Sequence, residues 1–356
     1  MPPPRLPKHH PNISYTTSGH YSTSPGTCPG RYGSLDMQNT PKSTGGGSDL
    51  FLTVARWFDS DAGTEQLIQS PKPGVDWLRI IPFIAAHLMC LAVFWVGWSW
   101  AAVTAAILFY LVRMFAITGF YHRYFSHRSF KTNRFWQFVF ALLGSTAVQR
   151  GPLWWASHHR HHHRFADRED DVHSPTQRGF LWSHMGWFTE QRNFPTKTEY
   201  VPDWLKYPEL RWLNRFSIVV PLLYAVGIYL LGVILQRYAP ELNTNGFQML
   251  VWGFFISTVL LFHGTATINS LSHVFGSRRY DTPDTSRNNP LLALITLGEG
   301  WHNNHHRYAV SAQQGFHWWE VDITYYLLVI MSWLGIVHDL RPVPVRIRTG
   351  EAERPK

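Results

Sequence analysis

Three histidine clusters in this chain have the type and spacing of metal ligands: His122-Arg-Tyr-Phe-Ser-His127, His158-His-Arg-His-His-His163 and His302-Asn-Asn-His-His306, with Asn269 and His273 between the last two. Imidazole is the commonest metal ligand at neutral pH, and histidines at i, i+3 and i+4 project to one side of a helix. His302, His305 and His306 have that spacing. His122 and His127 do not. Five residues at about 3.6 per turn diverge by roughly 140°, so the pair suits two different metals, or a helix that unwinds between them. The middle run has two registers, His158/His161/His162 and His159/His162/His163, and spacing alone does not choose. In either register the boxes offer eight histidines, more than the four ligands of a zinc site. The economical reading is two metal ions held by segments distant in sequence.

Such boxes need elements that bring them together. Residues 80–97 and 101–120 are apolar and flank Trp98-Ser-Trp100; residues 217–235 and 247–267 are apolar and flank a turn with Pro240 and Asn243-Thr-Asn245. Each is near the ~20 residues that cross a bilayer. The expected fold is therefore all-α, an integral membrane protein with four transmembrane helices in two hairpins. Soluble helical hairpins are disfavoured by the length of the segments and by their near lack of charge. Arg113 is the exception and is expected to snorkel from its span's end. Arg and Lys crowd the segment between the hairpins and the C-terminal stretch, so both termini, the loop 121–216 and all the boxes are expected on the cytoplasmic side.

The domain reading follows. Residues 1–75 form a disordered or weakly ordered tail, 76–345 a membrane domain whose cytoplasmic cap is 121–216 and 268–345, and 346–356 a C-terminal tail. Residues 1–49 are rich in Pro, Ser, Thr and Gly and do not read as a cleavable signal. His9, His10 and His20 there are expected in solvent. Cys28 and Cys90 offer neither a disulfide nor a CxxC site. A net charge of +9 and a pI near 9.6 suit anionic membrane lipids, an acidic substrate or an acidic redox partner. Nucleic acid is not an expected partner of so apolar a chain.

The pieces HRYFSH, HRHHH and HNNHH, with Asn269-Ser-Leu-Ser-His273, resemble the membrane fatty acyl desaturases of the stearoyl-CoA desaturase family. The resemblance runs from about Pro82 to Pro344 and is most specific at Gly298-Glu-Gly-Trp-His302-Asn-Asn-His-His306 and Trp319-Glu-Val-Asp322. It implies a second box of the form Trp-Ala-x-x-His-Arg-x-His-His, matched by Trp155-Ala-Ser-His-His159-Arg-His-His162-His163, and so selects His159, His162 and His163. It adds His273 as a ninth ligand and gives Asn269 the task of positioning a metal-bound water. It further implies two Fe ions, with Zn as a substitute in purified protein, and O2 as co-substrate. The substrate is then a fatty acyl-CoA or acyl-lipid, desaturated at Δ9. Electrons come from an external donor of the ferredoxin, cytochrome b5 or flavin reductase type. No catalytic side chain beyond the metal centre is needed, because a side-chain base cannot deprotonate an alkane.

Carboxylates should fix the ligand tautomers; the candidates are Glu299, Asp170 and Asp171, from a set that includes Asp167 and Glu169. His173 and His184 are expected to structure the cap. Trp154, Trp155, Trp182, Trp187 and Trp301 are candidate walls of an acyl tunnel, and His158 a candidate substrate contact. Relatives specific for coenzyme A esters place Arg-Asp before the second box and a basic pair after the Gly-Trp of the cap. Here Ser157-His158 and Gln191-Arg192 stand there, which leaves Arg150, Arg160 and Arg192 as candidate phosphate contacts. Ala106, Tyr110 and Met114 recur at four-residue steps before His122 and are expected to close the tunnel's far end.

Two rival readings share these features. A di-iron lipid hydroxylase or oxidase would use the same shell. A histidine-rich metal transporter would need polar groups inside its spans, whereas apart from His87 and His263 the histidines flank the spans.

Overall fold

The computed structural model describes residues 46–70 and 74–350. These residues are helical, with no strand among them beyond isolated bridges such as Lys131 with His338. The labelled helices are α1 (Gly46–Phe58), α2 (Thr64–Gln69), α3 (Ile81–Val96), α4 (Trp100–Ser126), α5 (Arg134–Ser145), α6 (Pro152–Phe165), α7 (Pro208–Arg215), α8 (Val219–Tyr238), α9 (Gly246–His273), α10 (Pro290–Ile295), α11 (His302–Arg307) and α12 (Ile323–Trp333).

Three helices are long and apolar enough to cross a membrane: α4 with 27 residues, α8 with 20 and α9 with 28. Local chemistry sets their starts. Ser99 caps α4 by accepting from the Ala102 N–H, and Asn245 caps α9 by accepting from that of Gln248. α3, which covers most of the expected 80–97 segment, is shorter. Pro82 begins it, residues Cys90–Ala92 tighten to a 3-10 turn, and Gly97 at φ 65° ends it. Phe94 and Trp95 on α3 are each 82% exposed, a surface suited to lipid.

α8 and α9 meet at a glycine contact. A Cβ on Gly232 would lie 2.5 Å from the Asn245 carbonyl oxygen, so the hairpin closes only without one. Arg113 corrects the snorkelling expectation. It is 2% exposed, and its guanidinium donates to Ser257 Oγ (2.5 Å) and Thr258 Oγ1 (2.7 Å) on α9. A charge at that depth is held by internal hydrogen bonds where no water is within reach.

The core at the base of α4 is aromatic. Phe120 stacks on Phe140 of α5 at 3.9 Å, and Phe125 packs on Trp204. Arg160, a candidate phosphate contact, instead binds α6 to this base: it donates to the carbonyls of Ser126 and Phe125, both at 2.7 Å, and pairs with Asp203 at 2.8 Å.

Both tail boundaries also shift. Residues 46–70 carry α1 and α2, and Asp59 pairs with Arg215 of α7 at 2.8 Å. The helices are short and their anchor is far along the chain, so local patterning did not mark them. At the other end Val345–Arg348 is a helical turn whose Ile347 is buried with Tyr280 and Phe316. The expectations for residues 1–45, with His9, His10, His20 and Cys28, and for 351–356 lie outside the described residues.

Candidate metal centre

The nine histidines converge as two sets. His122, His127, His159, His163 and His305 form one; His162, His273, His302 and His306 form the other; within each set one nitrogen per ring lies within 4.8 Å of all the rest. The helices explain the division. The last part of α4, Ala116–Ser126, winds with wide π turns, and the His127 N–H donates to the His122 carbonyl at 3.2 Å. A bond spanning five residues puts i and i+5 on one side, so both rings enter the first set. On α6, His159 and His163 differ by about 40° around the axis, while His162 lies about 60° the other way from His159 and enters the second. α11 divides likewise, His305 to the first set and His302 and His306 to the second. The three histidines of that box therefore do not join one set, although their spacing projects them to one side of the helix.

The middle run settles into one register geometrically. His158 Nε2 lies 3.2 Å from the Pro195 carbonyl oxygen and its ring is near Trp154 and Trp187, while His161 faces Phe165 and Tyr200.

The sets fit metal ions. Two nitrogens each ~2.1 Å from a metal stand about 3.0–3.4 Å apart at octahedral or tetrahedral angles. The Nε2 atoms of His122 and His305 are 3.1 Å apart, those of His163 and His305 2.8 Å, those of His127 and His159 2.8 Å, and those of His273 and His302 3.1 Å. His306 Nε2 is buried without a hydrogen-bond partner, an orphaned acceptor that a cation would satisfy.

Four carboxylates hold the outer Nδ1 atoms. Glu299 holds His122 at 2.5 Å, Asp171 holds His162 at 2.9 Å, Asp167 holds His273 at 3.0 Å and Asp284 holds His306 at 2.7 Å. Each fixes a tautomer and turns Nε2 inward. Burial raises the Asp284 carboxyl, but the hydrogen bond and charge of His306 and the hydrogen bonds of Ser286 outweigh it and hold it well below the usual carboxylate range. Asp167 behaves alike: burial is outweighed by His273, Ser174 and Thr285. Sequence reasoning had named Glu299 and Asp171 and had weighed Asp167. Asp284 was missed, since nothing in Thr282-Pro-Asp284 marks it. Asp170 is exposed and holds none of these rings, because it sits on the solvent side of the turn that buries Asp171.

Two cavities adjoin the sets. One of about 40 Å³ is lined by His122, His159, His162 and His302 together with Met114, Trp155 and Asn269. The other, about 290 Å³, is lined by Phe83, Phe188, Phe262, Trp154 and Trp187, and shares Trp155, His159, Thr265 and Asn269 with the first. These shared residues set the aromatic chamber next to the histidine-lined cavity.

A family model for fatty acid desaturases matches residues 98–329. The chain belongs to the fatty acid desaturase family. It is 36% identical over 272 residues to the acyl-CoA 5-desaturase AL21 of Anemone leveillei, covering 75% of this chain and 79% of that one. It is 34% identical over 280 residues to the sn-2 palmitoyl-lipid 9-desaturase of Nostoc sp. (77% and 93%), and 35% over 307 residues to the sn-1 stearoyl-lipid 9-desaturase of Synechocystis sp. (85% and 92%). The desaturase is thus an oxidoreductase, and its two histidine sets fit the metal site of that chemistry.

Other expected residues of the desaturase divide between cavity and scaffold. Trp154, Trp155, Trp187, His158 and Arg150 line the larger cavity, and Met114 the smaller. Trp182 and Trp301 donate to the carbonyls of Val172 and Val321. Arg192 pairs with Glu190 at 2.7 Å and lines neither cavity. Tyr110 donates to the Ile295 carbonyl at 2.7 Å, and Ala106 is buried one turn further along α4. His173 sits by Asp171 and Trp187. His184 hydrogen-bonds Ser270 and His263.

Proposed function

We propose that this protein is an O2-dependent fatty acyl desaturase that places a cis double bond at Δ9 of a saturated chain carried as acyl-CoA or acyl-lipid. The observation that carries the reading is the small cavity walled by histidines of both sets, which shares Trp155, His159, Thr265 and Asn269 with an aromatic chamber of about 290 Å³. In this reading an acyl chain held in that chamber passes the wall of Trp155 and His159 to lie beside both sets.

His122, His127, His159, His163 and His305 would hold one iron, and His162, His273, His302 and His306 the other, with Asn269 positioning a water ligand. Bound there, the irons supply the reduction of O2 to two waters as two hydrogens leave adjacent methylenes, using two electrons and two protons from outside. The protein's own residues bind and orient. Asp167, Asp171, Asp284 and Glu299 lock the rings. Trp155, stacked on His159 at 5.1 Å, and Met114 confine the chain beside them. Tyr110, one turn past Met114 on α4, would close the far end of the chain's path. The acyl-lipid 9-desaturases among the relatives support the Δ9 position.

In this reading α3, α4, α8 and α9 are the four spans, α3 crossing where the bilayer thins or its flanks compensate. The cap of 121–216 and 268–345 and both termini are cytoplasmic, within reach of a ferredoxin, cytochrome b5 or flavin reductase type donor. Expression in a desaturase-deficient host, with mass spectrometry of its lipids, tests the function. Δ9-monounsaturated chains are expected; hydroxylated chains would move the reading to a lipid hydroxylase, and unchanged lipids would reject it.

A further inference from the structure

The polarity of α1 is the reverse of that of a helix lying on a protein in water. Phe51, Val54 and Phe58 recur at helical spacing, within about 60° of one another around the axis. All three are exposed, Phe51 at 74% and Phe58 at 55%. Arg56 stands about 140° around the axis from Phe51 and is buried, donating to the carbonyls of Ala62 at 2.9 Å and Gly63 at 3.2 Å. A helix that faces water turns its charges outward and its apolar stripe to the core. This one turns two phenylalanines and a valine away from the protein and its arginine toward it.

The place where α1 is pinned says what covers that stripe. Just past its end, Asp59 pairs with Arg215 at 2.8 Å, the Ser60 N–H donates to the Arg215 carbonyl at 2.8 Å, and Ser60 Oγ lies 3.3 Å from Ser217 Oγ. Ser217 stands two residues before α8, a helix long and apolar enough to cross a bilayer. The start of such a helix marks the level of the bilayer surface. Trp212 on α7 and Trp77 ahead of α3 are exposed as well, as in the aromatic belt of a membrane surface. A protein partner fits less well. Even fully covered, two phenylalanines and a valine bury about 500 Å², short of the ~800 Å² that each side of a stable protein interface buries. An in-plane helix needs no more than such a stripe to sink into the boundary between headgroups and acyl chains.

We propose that α1 is an in-plane membrane anchor, lying on the bilayer surface on the side of the histidine sets with Phe51, Val54 and Phe58 among the lipid chains. The proposal rests on α8 crossing the bilayer and is independent of the reaction at the metal centre.

The test uses the full chain with Cys28→Ser and Cys90→Ala, reconstituted in dioleoyl phosphatidylcholine vesicles, with a nitrobenzoxadiazole label on a single introduced cysteine. Phe51→Cys, Val54→Cys and Phe58→Cys are the test positions. Leu223→Cys, on the exposed face of α8, is the lipid reference, and Asp170→Cys, exposed on the cap, is the water reference. Doxyl-labelled phosphatidylcholine should remove most of the emission at the three stripe positions, as at the lipid reference, and aqueous iodide should quench only the water reference. With Phe51→Asp and Phe58→Asp added, the label at position 54 should pass from lipid to iodide quenching. Iodide quenching at positions 51 and 54 overturns the proposal, because α1 then rises off the surface from its pinned end. Protection of the stripe from both quenchers overturns it too, since a protein surface, a second copy or another segment of this chain, then covers it. Lipid quenching at position 54 that survives both aspartates also overturns it, and should that chain fail to fold, the first comparison decides alone. Iodide quenching at Leu223→Cys rejects the α8 span, which separates failure of the membrane placement from failure of the anchor.

Discussion

His127 donates its backbone N–H to the carbonyl of His122 at 3.2 Å, and this single wide turn brings two histidines five residues apart into one ligand set. Both rings sit at the base of α4, the helix that also supplies Met114 to the cavity wall. The first histidine set and the wall of the small cavity therefore draw on one helix.

Two ring sets predict two metals per chain. Elemental analysis of purified protein should give a stoichiometry near two, as iron, zinc or a mixture, since zinc outcompetes Fe(II) at nitrogen sites. A value near one would leave one set without its role.

The register of α6 is tested by neighbours. His159→Ala should lose metal and nearly all activity, because its Nε2 stands 2.8 Å from that of His127. His158→Ala, whose ring lies by Trp154 and Trp187, should keep both metals. The reverse pattern would assign the ligands to His158, His161 and His162.

Asp284→Asn should weaken metal binding by about 10–100-fold, the usual effect of removing a ligand's supporting carboxylate. Asp170→Asn, at an exposed site, should leave affinity unchanged. Competition with a chelator measures both, and equal losses would mean that Asp284 does not act through His306.

Acidity should act on the metal-free protein through its buried rings. Burial, reinforced by neighbouring histidines, holds His127, His159, His163, His302 and His305 well below the ordinary value of 6.5. On unfolding they regain protons below that value, so stability falls as pH drops through 6.5. His162 works in the opposite sense, raised by Asp171 against its burial, and five rings outweigh one. Thermal melting of the metal-free chain between about pH 7.5 and 5.5 should show a falling Tm; a rising Tm would mean that these rings are not held neutral.

Chain length should respond to Tyr110. Trimming it to Ala removes the ring one turn beyond Met114 and its bond to Ile295, so longer acyl chains should be preferred, with iron retained. Adding Ala106→Phe, another turn along α4, should bring the preference part of the way back. Gas chromatography of the unsaturated products decides. An unchanged profile in both variants would remove this face of α4 from the tunnel's end wall.

Much of this was legible in the sequence. The histidine types, their spacing and the apolar runs pointed to an all-helical membrane protein with a two-metal site, because periodicity sets the azimuth of each side chain on its own helix; the resemblance to desaturases chose the register of the middle run and added His273. What periodicity cannot say is which neighbour a given azimuth faces. Only the tertiary structure kept the first box in one set and divided the second and third between two, with His305 beside His122 and His302 beside His273. Only it brought Asp167 to His273 across 106 positions and Asp284 to His306 across 22. The same limit explains Arg113, which the span's composition sent to the interface and the hydroxyls of Ser257 and Thr258 hold inside. α1 and α2 escaped notice because Asp59 finds Arg215 only after the chain has folded. Local pattern determines what each helix presents; long-range contacts decide what it meets.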